Sequence, residues 1–333
     1  MRLLVLGGSW FLGRAIVDAA LAGGHEVTTF RRGLTGDDAP GVEVVRGDRT
    51  DVDDLARLAA GGPWDVVVDT SGYVPREVGA VARALSPVVG RYVFVSSVSA
   101  YVGWPVEPLT ETSELLDCPA DAAGDYGHDG DPGPSVYGFT KVGCERAVTD
   151  AFGADRVTIL RPGVILGPRE YVGRLPWWLN RVARGGRVLA PGSPDRPIQP
   201  VDVRDVAEFA LAAPTGVFNV TAPGTETFGD FLAACVSVAC AGEPHWVPDE
   251  FLVAQGLRQW TEIPLWRTYA GAWAVDSSRA RAAGLRTRPL IETVRDTWAW
   301  MGTKRAVEHE RAGQLGIDPE KEAAVLDAWQ AGS

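Results

Sequence analysis

A chain of 333 residues suits one large domain or two unequal ones, and 46% hydrophobic with 23% charged residues is the composition of a globular, enzyme-sized protein. Its net charge of −11 argues against a nucleic-acid backbone as partner, and no apolar run reaches the about eighteen residues that a membrane span requires. Four cysteines without a C-x-x-C pair read as reduced thiols, and four histidines without ligand spacing give no reason to expect a metal. Residues 2–6 enter a strand pattern with no apolar leader or small-residue cleavage site, so a cytoplasmic protein is expected.

Short β-rich runs at 3–6, 26–30, 42–45, 65–69 and 92–96 alternate with helical patterns at 12–22, 51–60 and 76–85. Continuous runs such as Val66-Val67-Val68 suit strands buried on both faces. The alternation predicts an α/β fold, a doubly wound parallel sheet of Rossmann type with a smaller mixed α/β substrate domain, binding its ligand beyond the carboxyl ends of the strands. The first strand runs into Gly7-Gly8-Ser9-Trp10-Phe11-Leu12-Gly13 and then a helix, the context of a dinucleotide pyrophosphate cradle. Trp10 stands where a second glycine normally lets the pyrophosphate approach: turned outward it permits binding, turned inward it blocks the site. After the second strand, Arg31 and Arg32 replace the carboxylate that a free ribose 2′-hydroxyl prefers. Their guanidiniums match a 2′-phosphate, so NADP(H) is expected over NAD(H), which stays open as the alternative. Asp48, after the third strand, is placed to meet an adenine amino group.

A Pro-, Gly- and Asp-rich loop over 99–134 follows, read as a mobile loop beside the active site; its acidic residues lack the twelfth-position ligand of a calcium loop. Next, Tyr137 and Lys141 stand four apart on a helix, hence on one face. A lysine cation there favours the phenolate, making the tyrosine a general acid/base for a carbinol or carbonyl oxygen. Beyond a strand at 157–160 the pattern becomes irregular, with a Gly/Pro-rich stretch at 185–200, helices at 205–213 and 228–239, and a segment at 217–220 expected to rejoin the first domain. Seven of the twelve tryptophans lie beyond residue 240, mostly as core, with one or two available to wall an apolar pocket. Asp318, Pro319 and Glu320 mark the start of a terminal helix.

Together these motifs resemble the extended short-chain dehydrogenase/reductase superfamily, in its NAD-dependent epimerase/dehydratase group, over residues 2 to about 301. Beside the glycine turn and the Tyr-x-x-x-Lys pair stand Ser96-Ser97 with Tyr101, Arg161-Pro162-Gly163 with Gly167-Pro168, and the segment 199–205, in the family's order. The resemblance implies that Ser97 polarises the substrate oxygen, Tyr137 exchanges its proton, and Lys141 lowers the phenol's pKa and holds the nicotinamide ribose. It also implies that Arg161, Pro162 and Gly163 lie beside the nicotinamide.

Two departures bear on substrate. Val164 stands where nucleotide-sugar epimerases carry an asparagine, and Val98-Ser99 where sugar dehydratases carry an Asp-Glu pair. Arg196, in contrast, lies where such enzymes grip a diphosphate. A replaced middle glycine also resembles relatives that bind RNA in plastids, but those lack the Tyr/Lys pair. The expectation is an NADP-favouring oxidoreductase for a small hydroxy/keto substrate, with Ser99, Val164 and Arg196 near that substrate. An NAD-dependent epimerase acting by transient oxidation is the alternative, and a non-catalytic nucleotide sensor the third reading. The expected divisions are a cofactor domain over 1–165, a substrate portion over 166–301 and a helical extension over 302–333, with a homodimer left open.

Overall fold

A computed structural model of the chain describes residues 1–303 and 312–332. Its centre is a seven-stranded, wholly parallel sheet. The strands are β1 (Arg2–Leu6), β2 (Glu26–Arg31), β3 (Glu43–Arg46), β4 (Trp64–Asp69), β5 (Val89–Val95), β6 (Val157–Pro162) and a last strand, Gly216–Val220. From one edge they run Gly216–Val220, β6, β5, β4, β1, β2, β3. Strand order reverses between β1 and β4, where a doubly wound sheet opens a crevice for ligand.

Side-chain alternation explains the two layers of helices. Leu3, Val5, Val66 and Val68 face α1 (Phe11–Ala22), while Leu4, Leu6 and Val67 face the opposite way. On that second side lie α2 (Val52–Ala60), α3 (Pro75–Leu85) and α4 (Val136–Phe152). Val67 is fully buried, and each such side chain contributes about 1.5–3 kcal/mol. Polar residues fix where helices begin: Asp51 accepts from Asp53 N and Asp54 N ahead of α2, and Ser135 accepts from Gly138 N ahead of α4. By contrast α1 follows Trp10 with no side-chain cap and no acidic residue in its first turn. Its opening N–H groups are thus left for a ligand.

The remaining core gathers α5 (Arg174–Ala183), the helix Phe228–Ala239 and the helix Leu290–Met301 around Trp178, Phe228, Phe231 and Trp266. Arg187–Pro191, inside the stretch read as irregular, is a strand paired in parallel with Glu243–Val247. It carries β-forming residues, but its partner lies over fifty residues away and gives no local signal. A ten-residue helix Val203–Ala212, capped by Asp202, packs beside α1. Of the expected extension, residues 304–311 and 333 lie outside the described residues. Pro319–Gly332 is helical, with Asp318 Oδ1 accepting from Glu320 N and Lys321 N. That helix docks through a buried Arg181–Glu322 ion pair and the Phe251–Trp329 ring contact. Among the described residues no helix is long and apolar enough to cross a membrane.

Candidate functional site

A cleft of about 940 Å³ opens at the carboxyl ends of the strands, bordered by the glycine turn, the residues after β4 and β5, the start of α4 and the segments after β6. Gly7 and Gly8 take φ of 107° and 99°, where a side chain is strained. A Cβ on Gly7 would come 2.8 Å from Thr70 Oγ1, and one on Gly13 would come 2.8 Å from Gly8 N. The turn is therefore folded tightly onto the residues after β4, where the Thr70 and Ser71 hydroxyls donate to Leu6 O at 3.1 and 3.2 Å. The whole stretch Gly7, Gly8, Ser9, Trp10, Phe11, Leu12 and Gly13 borders the cleft. Trp10's indole meets the Tyr171 ring at 5.5 Å between centroids.

The start of α4 is positioned by another close approach. A Cβ on Gly138 would collide with Ser99 O, so the glycine between Tyr137 and Phe139 lets this helix rest on the turn Val98–Ala100. Ser97, Ser99, Tyr137 and Lys141 thereby share the cleft. Lys141 is only 2% exposed, and its Nζ donates to Gly72 O at 2.8 Å and Val95 O at 2.9 Å. The same cation lies 4.7 Å from the Tyr73 ring centroid and 5.6 Å from that of Tyr137. Ser97 Oγ accepts from Ser99 N at 3.1 Å, which leaves its hydroxyl hydrogen to donate elsewhere. Neighbouring Ser96 Oγ is buried at the cleft without a protein partner among the described residues.

Several residues expected in the site face away from it. Arg31 spends its guanidinium on Asp38, through Nε at 2.8 Å and through Nη2, and on the carbonyls of Thr35 and Gly36 at 2.7 and 3.0 Å. Hydrogen bonds from Arg46 and Arg31 hold the Asp38 carboxyl below its usual range. Only Arg32 of that pair borders the cleft. Asp48 accepts from Thr50 N and Oγ1 in the turn before α2 and does not line the cleft. Arg161 turns back into the core, donating to Glu145 at 2.9 and 2.6 Å and to Tyr101 Oη at 3.0 Å. Pro162, Gly163 and Val164 do line the cleft. Arg196 pairs with Asp249 and donates to Arg267 O, outside the cleft.

Other residues were missed. Thr70, Ser71 and Tyr73 directly follow β4, and the rule that ligands meet strand ends could have found them. Arg174 opens α5, and Arg267, with Trp104, Trp260 and Trp273, comes from segments outside the long helices and strands, without a local signal. The Arg267 guanidinium lies 4.7 and 5.0 Å from the centroids of Trp260 and Trp104. Its Nε is buried without a hydrogen-bond partner among the described residues, and Asp131, also on the cleft, is a carboxylate that acts on its charge. Burial pushes its pKa down. Gln199 holds this wall in place by a reciprocal pair of bonds to the Val275 backbone, at 2.9 and 2.8 Å.

The sheet order and the glycine turn at its switch point define a dinucleotide-fold enzyme. Sequence comparison makes this specific: the model of the NAD dependent epimerase/dehydratase family matches residues 3–223, and the chain belongs to that family. Similar curated proteins include the chloroplast stem-loop binding protein of 41 kDa b of Arabidopsis thaliana, 26% identical over 273 residues, 75% of this chain and 67% of that protein. The 2'-dehydrokanamycin reductase of Streptomyces kanamyceticus is 33% identical over 168 residues, but these are 50% of this chain and 43% of the reductase. In fold, the chain is similar to the enzyme WbmG of Bordetella bronchiseptica, solved with NAD and UDP. The TM-score is 0.67 at 20% identity, covering 91% of this chain and 96% of WbmG.

The expectation of NADP(H) is overturned. WbmG and other solved structures of this fold hold NAD. The sequence argument fails for a physical reason: Arg31, read as a 2′-phosphate fork, is consumed by Asp38 and two carbonyls within its own loop.

Proposed function

We propose that the protein is an NAD-dependent epimerase that acts on a sugar or sugar-nucleotide by transient oxidation at a carbinol carbon. The observation that carries the reading is Arg267, a guanidinium in the cleft whose Nε has no hydrogen-bond partner among the described residues, flanked by indoles and accompanied by Arg174. An anionic ligand there joins Asp131 in compensating a charge that burial disfavours, and a planar base or sugar face suits the aromatic walls. This displaces the small hydroxy/keto substrate favoured by the sequence. It also moves the anion grip from Arg196, which Asp249 occupies, to Arg267 and Arg174.

The cradle fits a dinucleotide: its glycines allow no Cβ, the α1 N-terminus carries no competing acid, and Ser96 offers a hydroxyl without a partner among the described residues. Gly7 to Gly13 hold the pyrophosphate, while Pro162 and Gly163 wall the other end. Bound NAD supplies a hydride acceptor that returns what it takes. The chain's own groups handle the proton. Ser97 Oγ donates a hydrogen bond to the substrate oxygen, and Tyr137 Oη removes and restores that oxygen's proton. Lys141 keeps a positive charge beside the phenol, which favours its phenolate. Its two carbonyl bonds fix that charge in place.

A second reading, net reduction of a keto substrate, is favoured by the similarity to the 2'-dehydrokanamycin reductase and by Val164 in the cleft. RNA binding is not carried over from the plastid protein, because a net charge of −11 repels a phosphate backbone.

The test begins by denaturing the purified protein and identifying the nucleotide released. The NAD-loaded enzyme is then incubated with a panel of nucleoside-diphosphate sugars in D₂O. The expected outcome is an epimer without deuterium at the inverted carbon and without net NADH, since the hydrogen removed is the one returned. Stoichiometric NADH consumption with a keto substrate would establish the second reading instead, and absence of NAD binding would sink both.

A further inference from the structure

The segment between β6 and α5 touches the cofactor helix at places that neither the hydride chemistry nor the substrate wall requires. Tyr171 lies 5.5 Å from the Trp10 ring, with planes inclined at 34°, and 6.2 Å edge-on from Phe11. Two residues earlier, Arg169 Nη1 pairs with Asp18 Oδ2 at 2.8 Å, on the second turn of α1. Arg169 takes φ of 70°, an uncommon value for a residue with a side chain. Trp10 is backed from behind as well. A Cβ on Gly36 would come 3.2 Å from its Cδ1, and Arg31 fixes that loop by bonding Thr35 O and Gly36 O. Ser9 Oγ joins Thr35 Oγ1 at 3.1 Å. The indole is thus set by the Arg31 loop on one side and by Tyr171 on the other.

We propose that Trp10 and Tyr171 form an aromatic strap across the pyrophosphate end of the cleft, anchored by Arg169 and Asp18, which retains the bound dinucleotide between turnovers. This rests on the glycine turn being the cofactor site. Trp10 and Tyr171 both line the cleft, the first from the glycine turn and the second from the opposing segment. A centroid distance of 5.5 Å is contact between rings, so a dinucleotide held by the turn leaves only when the strap parts. Retention matches the proposed chemistry, since an enzyme that returns its hydride to the same substrate gains nothing by exchanging cofactor. It also gives Trp10 a use: where a glycine would leave the pyrophosphate open to solvent, the indole covers it.

Dissociation of NADH tests the strap, followed by stopped-flow loss of energy transfer from tryptophan when NADH-loaded protein is chased with excess NAD. Equilibrium titration of the wild-type protein with NADH comes first. Tyr171→Ala should release NADH about tenfold faster, equivalent to about 1.4 kcal/mol, as expected for loss of an aromatic pair. Tyr171→Phe keeps the ring and should stay within about twofold of wild type, while Arg169→Ala, which loosens only the anchor, should fall between the two at about threefold. Release from Tyr171→Ala at the wild-type rate, with NADH still bound, would overturn the strap and leave the cofactor reading intact. A wild-type protein that carries no NAD as purified and binds no NADH would overturn the cofactor reading and the strap with it.

Discussion

Replacing Glu145 by alanine tests how α4 is held. Glu145 follows Lys141 by one turn on α4, and its carboxylate receives Arg161 Nε and Nη2 at 2.9 and 2.6 Å. Both side chains are under a tenth exposed, so solvent cannot replace the missing partner. Arg161 would keep only its bond to Tyr101 Oη. Breaking one side of a buried pair costs about 3–5 kcal/mol, mostly the penalty of a stranded charge. At roughly 2 °C per kcal/mol for a chain of this size, Tm should fall by about 6–10 °C. Glu145→Gln keeps one acceptor and should lose about half as much. The double variant Glu145→Leu/Arg161→Met removes both charges and should recover most of the loss. Differential scanning calorimetry on the three variants decides the matter. A Glu145→Ala shift under about 2 °C, or a double variant no better than the single one, would refute the claim that this pair is buried and coupled.

Three further outcomes are expected. Tyr137→Phe should lower kcat at least about 10²-fold while NAD affinity, read by titration, stays unchanged; normal turnover would remove Tyr137 from the proton transfer. Arg31→Ala should leave the NADH-to-NADPH affinity ratio unaltered and lower thermal stability, because the guanidinium holds the 35–38 loop and no phosphate; a marked rise in NADH preference would contradict this. Asp202 is buried beneath bonds from Arg204 and Thr293. Burial opposes its charge, but those bonds outweigh burial and hold its pKa below the usual 3.8. Since the folded pKa lies below the unfolded one, its stabilisation is present above pH 3.8 and lost as pH falls through the folded value. Asp202→Asn should therefore lose stability at pH 7 and show a shallower acid limb in denaturation curves than wild type.

How much of the site could be read in advance depended on the range of the interaction. The glycine turn and the Tyr137/Lys141 pair are set by neighbours within a few residues, and a strand-turn-helix context or an i, i+4 spacing announces them. The direction of an arginine is not announced in this way. Arg31 turned to Asp38, seven residues on, Arg161 to Glu145 on the adjacent helix α4, and Arg196 to Asp249 from a distant helix. Arg31 and Arg196 read in the sequence as anion sites and Arg161 as a neighbour of the nicotinamide, and each guanidinium was already occupied. Conversely Arg267, with no motif around it, arrived in the cleft between two indoles.

The sequence by itself determined the parallel sheet, because strands buried on both faces must be continuously apolar and their crossovers helical. It determined the cradle as well, because only glycines permit that backbone. The tertiary structure alone decided which charges remain for ligands. A buried ion is satisfied by whichever opposite charge the fold brings within about 3 Å, and that partner lies anywhere in the chain. The placement of Tyr171 against Trp10 is of the same kind, a contact between two segments that share no local pattern and meet only when the sheet has formed.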